Sequence, residues 1–183
     1  WAVLNGDAVS GVTIMDMAHA LDAGDIIAQV TTPVRREETA QQLYDRLARM
    51  GGGLLVQTVA AIEGGTARRT PQDPAQVTFA PMLSRELSPM DWSHPASRLH
   101  DQVRGLLPWP TASAELPNGN KVKVFTTVET EETTQKAPGT VLRADRAGID
   151  VACGGGTVLR ITELQAPGSR RMSAADYLRG HKL

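Results

Sequence analysis

From residue 111 onward, apolar residues stop recurring every three or four positions and begin to alternate with polar ones. In "KVKVFTTVE" (121–129), Val122 and Val124 interleave with Lys121 and Lys123, the period of a strand with one buried face. "TASAEL" leads into this run through "PNGN", whose Asn-Gly step is a strong hairpin signal. "GTVLRAD", "GIDVACG" and "GTVLRITELQ" follow as three more short runs separated by glycine-bearing turns. Such spacing predicts a small, mainly β barrel, closed by a brief helix over 172–180 with Ser173 as its N-cap.

The residues ahead of it read differently. "GVTIMDM" (11–17) is a β-branched apolar run that predicts a buried strand, and "DIIAQVTTPV" (25–34) predicts a second. Between them "HALDAGDII" sets Asp22 and Asp25 around Gly24, a composition that makes a turn. Residues 38–65 carry a helical period through Leu43, Leu47, Met50, Leu54 and Val59, with Thr39 as N-cap and Gly64-Gly65 as the stop. Gly51 to Gly53 are expected to weaken or bend that helix, at about 1 kcal/mol each relative to alanine. "TARRTPQDPAQVTFAPMLSRELSPMDW" (66–92) holds four prolines and no regular period, and reads as an extended linker. A further helix is expected at 95–106, after Ser93 and with Pro95 in its first turn, broken by "PWP". The pattern therefore divides into 1–65, a linker at 66–84, and 85–183.

Composition narrows the class. A hydrophobic share of 41% over 183 residues suits a globular protein, and no apolar run reaches the roughly 18 residues of a membrane span. The single cysteine, Cys153, excludes an intrachain disulfide framework; it fits a reducing cytosol and a small buried core residue. Charge is uneven: residues 1–84 carry a net −3 and residues 85–183 a net +2, a weak pointer to an anionic partner for the second part. Phosphate-binding glycine loops, zinc spacings and a Ser-His-Asp order are absent, and the four histidines (19, 94, 100, 181) are dispersed. Trp109 between two prolines reads as a packing anchor, and the Arg-Arg pairs at 68–69 and 170–171 read first as solvated charge. The chain opens on Trp1 in mid-pattern, as a piece of a longer protein would.

Taken in order, "NGDAVSGVTIMDMAHALDAGDII", the "LYDRLA" helix, "TFAPMLSRELSPMDWS", "LLPWPTA" and "APGTV…GIDVACGGGTVLRITELQ…MSAADYL" resemble the methionyl-tRNA formyltransferase family over nearly the whole length. The resemblance implies an α/β remnant of a Rossmann-like formyltransferase domain followed by a mainly β, OB-like C-terminal barrel that binds tRNA. It implies a cytoplasmic, metal-free enzyme, monomeric when intact and without a membrane partner. Its reaction passes a formyl group from 10-formyltetrahydrofolate to the amine of initiator methionyl-tRNA. The family works with an Asn, a His and an Asp. By its "DxGD" loop the Asp corresponds to Asp22, with Asp25 supporting the loop, while the Asn and His belong to an upstream stretch not contained in this sequence. The same likeness makes Ile14, Met15, Leu21 and Asp22 the folate wall. The expected tRNA contacts are Arg85, Arg98, Arg104, Lys121, Lys123, Arg143, Arg170 and Arg171. Taken alone, the 183 residues are expected to be inactive. Two other readings share parts of the pattern: a non-catalytic tRNA-binding OB-like module, and a related folate-dependent formyltransferase or hydrolase acting on another substrate.

Overall fold

The computed structural model describes residues 1–183. Two compact units emerge, one made of Ala2 and Asp7–Pro81, the other of Trp1, Val3–Gly6 and Met82–Leu183.

In the first unit, strands β1 (Val9–Met15) and β2 (Ile26–Pro33) pair antiparallel with Val12 opposite Val30. β1 is not the buried strand its apolar run predicts. Its residues alternate between exposed and half-buried, because helix α1 (Ala40–Glu63) packs against the hairpin and leaves other positions open. The helix starts on a capping box: Thr39 accepts from the Gln42 amide at 3.3 Å, and Gln42 accepts in return from the Thr39 amide at 2.9 Å. Glu38 then holds Arg46 at 2.6 Å, and Arg46 reaches back to the Pro33 carbonyl at 2.8 Å, which fixes the helix to the end of β2. The three central glycines do not break the helix. A Cβ at Gly51 would stand 3.2 Å from Val12, so the missing side chain is what allows α1 and β1 to approach.

The expected linker is not free at its beginning. Thr70 and Ile26 exchange backbone hydrogen bonds at 2.8 and 2.9 Å, and Arg69 pairs with Asp16 at 2.6 Å. The sequence gives no periodic sign of this return, because a single bridge has no period to show. Beyond it the hairpin pairs with nothing else, and Leu43 is the one large apolar side chain buried in this unit. Sparse burial and open edges lower local stability. Amide exchange across residues 9–33 is therefore expected to outpace that across 121–162; equal protection in the two would show that the hairpin is held as firmly as the second unit.

The second unit carries the main core. Strands β3 (Ala112–Glu115), β4 (Lys121–Thr133), β5 (Val141–Asp145), β6 (Gly148–Ala152), β7 (Thr157–Gln165) and β8 (Met172–Ser173) form one antiparallel sheet, in the order β3-β4-β7-β6-β5 with β8 beside β7. The predicted closure into a barrel is not seen. The far edge of β3 is taken by Ser88–Met90, through Ser113 N–H to the Ser88 carbonyl (2.7 Å) and Met90 N–H to the Ser113 carbonyl (2.8 Å), so β3 does not meet β5. Helix α2 (Ala96–Gly105) buries Leu99 and Val103 against the sheet, one residue inside the expected limits, with Pro95 as the N-cap. Helix α3 (Ala174–Gly180) begins at Ser173, whose hydroxyl accepts from the Asp176 amide as expected. Leu4 joins this core, so close to α2 that a Cβ on Gly105 would meet its side chain at 2.7 Å. Cys153 is buried, accepts no role at the surface, and burial pushes its thiol up to about 11.

Candidate functional site

The loop between β1 and β2 is a tight turn. Asp22 takes a left-handed backbone with φ of +52°, a conformation that Asp tolerates better than most residues. Gly24 is buried against the opposite limb, where a Cβ would lie 1.7 Å from the Asp16 carbonyl. The loop is closed by Asp16 N–H to the Asp25 carbonyl (2.9 Å), so Asp25 serves through its backbone. Gln72 clamps it from outside, its amide donating to the carbonyls of Asp22 (2.9 Å) and Gly24 (2.7 Å). With the backbone held in this way, the Asp22 carboxylate is exposed and bonded to no other side chain. Ile14 and Met15 are half-buried at the end of β1, while Leu21 is 92% exposed beside Asp22. Gln72 touches the Met15 sulfur at 3.7 Å as well as Asp22, and so ties the apolar end of β1 to the acidic loop. Sequence reasoning missed Gln72; its only signal is the return of chain marked by Thr70.

The eight cations of the expected tRNA face separate into two groups. Arg104 is only 8% exposed and pairs with Asp101 at 2.7 Å. Arg143 bonds Asp150 at 2.5 Å and Glu132 at 2.6 Å, and Arg171 pairs with Glu163 while lying 4.6 Å over the Phe125 ring. These three have their charge matched inside the chain. Arg85, Arg98, Lys121, Lys123 and Arg170 are exposed and form no ion pair, although Arg98 donates to the Leu4 carbonyl at 3.1 Å. Lys121 and Lys123 do share the outer face of β4, with Val122 and Val124 buried behind them. Lys121 stands opposite Glu115 in register and Lys123 opposite Ser113.

Two adjoining cavities lie along this face and share Ser113 and Lys123. One, of about 490 Å³, is lined by Arg85, Ser88, Trp109 and Lys123 among others. The other, of about 440 Å³, runs past Lys121 to Gln165 and Gly168. A groove with unmatched cations and few carboxylates favours a polyanion.

The hairpin with its acidic loop and the antiparallel sheet with its cationic groove are assigned by sequence comparison to one class, the formyl transferases. The family model described as "Formyl transferase, C-terminal domain" matches residues 82–182, more than half of the chain, and that described as "Formyl transferase" matches residues 1–59. The chain belongs to this family. Among curated proteins it is 40% identical, over 98% of its own length, to the methionyl-tRNA formyltransferase of Halalkalibacterium halodurans. It is likewise 40% identical, over all of its length, to that of Acetivibrio thermocellus. The chain spans 56% and 58% of those two relatives. Solved structures share its fold: HypX from Aquifex aeolicus, in a variant form, at a TM-score of 0.69 and 25% identity, over 100% of this chain and 33% of that one. A Helicobacter canadensis N-formyltransferase with folinic acid and dTDP-3-aminofucose also aligns at 0.69, with 18% identity, over 90% of this chain and 58% of that one. No helix is long and apolar enough to cross a membrane.

Proposed function

We propose that this chain contributes the folate-side acidic loop and the tRNA-holding sheet of a methionyl-tRNA formyltransferase. The observation that supports the reading best is the joint match of both units to formyl transferase models, with methionyl-tRNA formyltransferases at 40% identity along nearly the whole chain. In the reaction the methionyl amine attacks the formyl carbon of 10-formyltetrahydrofolate. A C–N bond forms, the bond from that carbon to N10 breaks, and the proton lost by the amine ends on N10. The Asp22 carboxylate lies at the loop tip, where it would hold the charge and orientation of the family's histidine. Ile14, Met15 and Leu21 offer an apolar wall for the flat pterin ring. The cytoplasmic, monomeric, metal-free and OB-like features implied by the resemblance belong to the same proposal.

For the tRNA, the geometry favours Arg85, Lys121 and Lys123 over the internally paired Arg104, Arg143 and Arg171. Phosphate contacts release counterions, so three of them give a slope of log affinity against log salt of about −2 to −3. The chain is expected to bind initiator tRNA with that slope, and Lys123→Ala to reduce it by about 1. Joined to the preceding part of a curated relative, the chain is expected to formylate methionyl-tRNA. Salt-sensitive binding without transfer in that joined protein would favour a non-catalytic tRNA-binding module. Salt-independent binding would remove the phosphate-contact reading.

A further inference from the structure

Trp109, expected to be a packing anchor, is 52% exposed. It forms no ring stack and no cation–π contact within the chain; those that occur join Tyr177 to His181 and Arg171 to Phe125. An indole left in water without a partner forgoes most of the benefit that a tryptophan brings to a fold. Its neighbours across the 490 Å³ cavity are equally unspent. Arg85 and Lys123 have no carboxylate, and the hydroxyls of Ser88 and Ser113 enter no hydrogen bond with the rest of the chain. The volume falls within the range of about 300–1,000 Å³ usual for ligand sites. A flat aromatic surface that lines one cavity with two unmatched cations suits a flat ring carried on an anionic chain.

We propose that this cavity is a subsite for one unpaired nucleotide of the bound RNA. Trp109 stacks on the base, and Arg85 and Lys123 neutralise the phosphates on either side of it. The inference rests on the tRNA reading above and adds which part of the RNA is held here. A paired base inside a helix has both faces covered by its neighbours, whereas a base in a loop or bulge can be turned out onto an aromatic ring. Stacking is tolerant of base identity, since every base has a π-face. The two serine hydroxyls stand ready for the ribose or the base edge.

The test uses the whole chain with initiator tRNA and, separately, with a fully paired RNA duplex of similar length. Trp109→Ala is expected to weaken tRNA binding roughly tenfold, to leave the salt slope unchanged, and to leave duplex binding unchanged. Trp109→Phe should restore most of the loss, because it keeps an aromatic face, and the thermal midpoints of both variants should match that of the unaltered chain. Equal tRNA affinity in Trp109→Ala, an equal loss on the duplex, or a loss that tracks a lowered midpoint would each overturn the stacking. Failure of the unaltered chain to bind tRNA would overturn both this inference and the reading on which it rests.

Discussion

Asp150→Ala is expected to unfold the second unit at a markedly lower temperature. Asp150 is 1% exposed in the middle of the sheet, yet it carries an ionised carboxylate. Burial pushes its pKa up, but hydrogen bonds and charge from Arg160 and Arg143 outweigh this and hold it below the usual range. Arg160 reaches both carboxylate oxygens, at 2.6 and 2.8 Å, and Arg143 adds a bond at 2.5 Å. Removing the acid leaves two guanidiniums facing each other across β6. Loss of one member of a buried pair costs about 3–5 kcal/mol, and the lower figure applies here because both arginines reach solvent. At about 4 °C per kcal/mol for a unit of this size, the midpoint falls by roughly 12 °C. The depressed carboxylate also sets the sign of the pH dependence. Its contribution is complete above the unfolded value near 3.9 and is lost as pH falls through the lower folded value. Thermal scans of both proteins at neutral pH, and of the unaltered chain down to acid pH, check the two statements. An unchanged midpoint in Asp150→Ala would mean that the arginines are fully satisfied by water and Glu132.

Asp22→Asn is expected to cost about 10²- to 10⁴-fold in formyl transfer by the joined protein, the scale of loss when the carboxylate that orients a proton-managing histidine becomes an amide. The amide has the shape of the carboxylate but not its charge, so tRNA affinity, which the proposed function assigns to the other unit, should hold. Gly24→Ala should produce a similar loss with Asp22 intact. A Cβ 1.7 Å from the Asp16 carbonyl forces the loop open and pulls the Asp22 and Gly24 carbonyls away from Gln72. Single-turnover rates alongside tRNA binding separate the two effects. Full-rate transfer by Asp22→Asn would remove this residue from the chemistry, and full-rate transfer by Gly24→Ala would show that loop shape does not matter.

The elements of the second unit were legible because a strict alternation has one reading: Val122 and Val124 had to face inward if Lys121 and Lys123 faced water. Capping at Thr39 and Ser173 was equally plain, since a hydroxyl ahead of an apolar period has a defined task. Closure of the sheet was not legible. It depends on which segment takes the edge of β3, and Ser88–Met90 does so through backbone groups alone, which every sequence possesses. The site divides in the same way. Asp22 in its turn could be read from "DAGD", whereas the Gln72 clamp depends on partners 48 or 50 residues away and the neutralised state of Arg143 on carboxylates across strands; Arg104 is neutralised locally, by Asp101 one turn back in the same helix. Trp109 misled because prolines on both sides suggest a rigid anchor, and rigidity says nothing about whether solvent reaches the ring.

Cys153 has a practical consequence. It is the only thiol of the chain, it is buried in the core just past the end of β6, and at a value of about 11 it is almost wholly protonated at neutral pH. The native chain should therefore be silent toward thiol reagents. Each opening of the second unit exposes a single reactive sulfur, so alkylation reads the rate of those openings when it outpaces reclosing, and their population when it does not. A cysteine introduced at Ser88, on the wall of the Trp109 cavity, could then be labelled selectively as a reporter of RNA arrival.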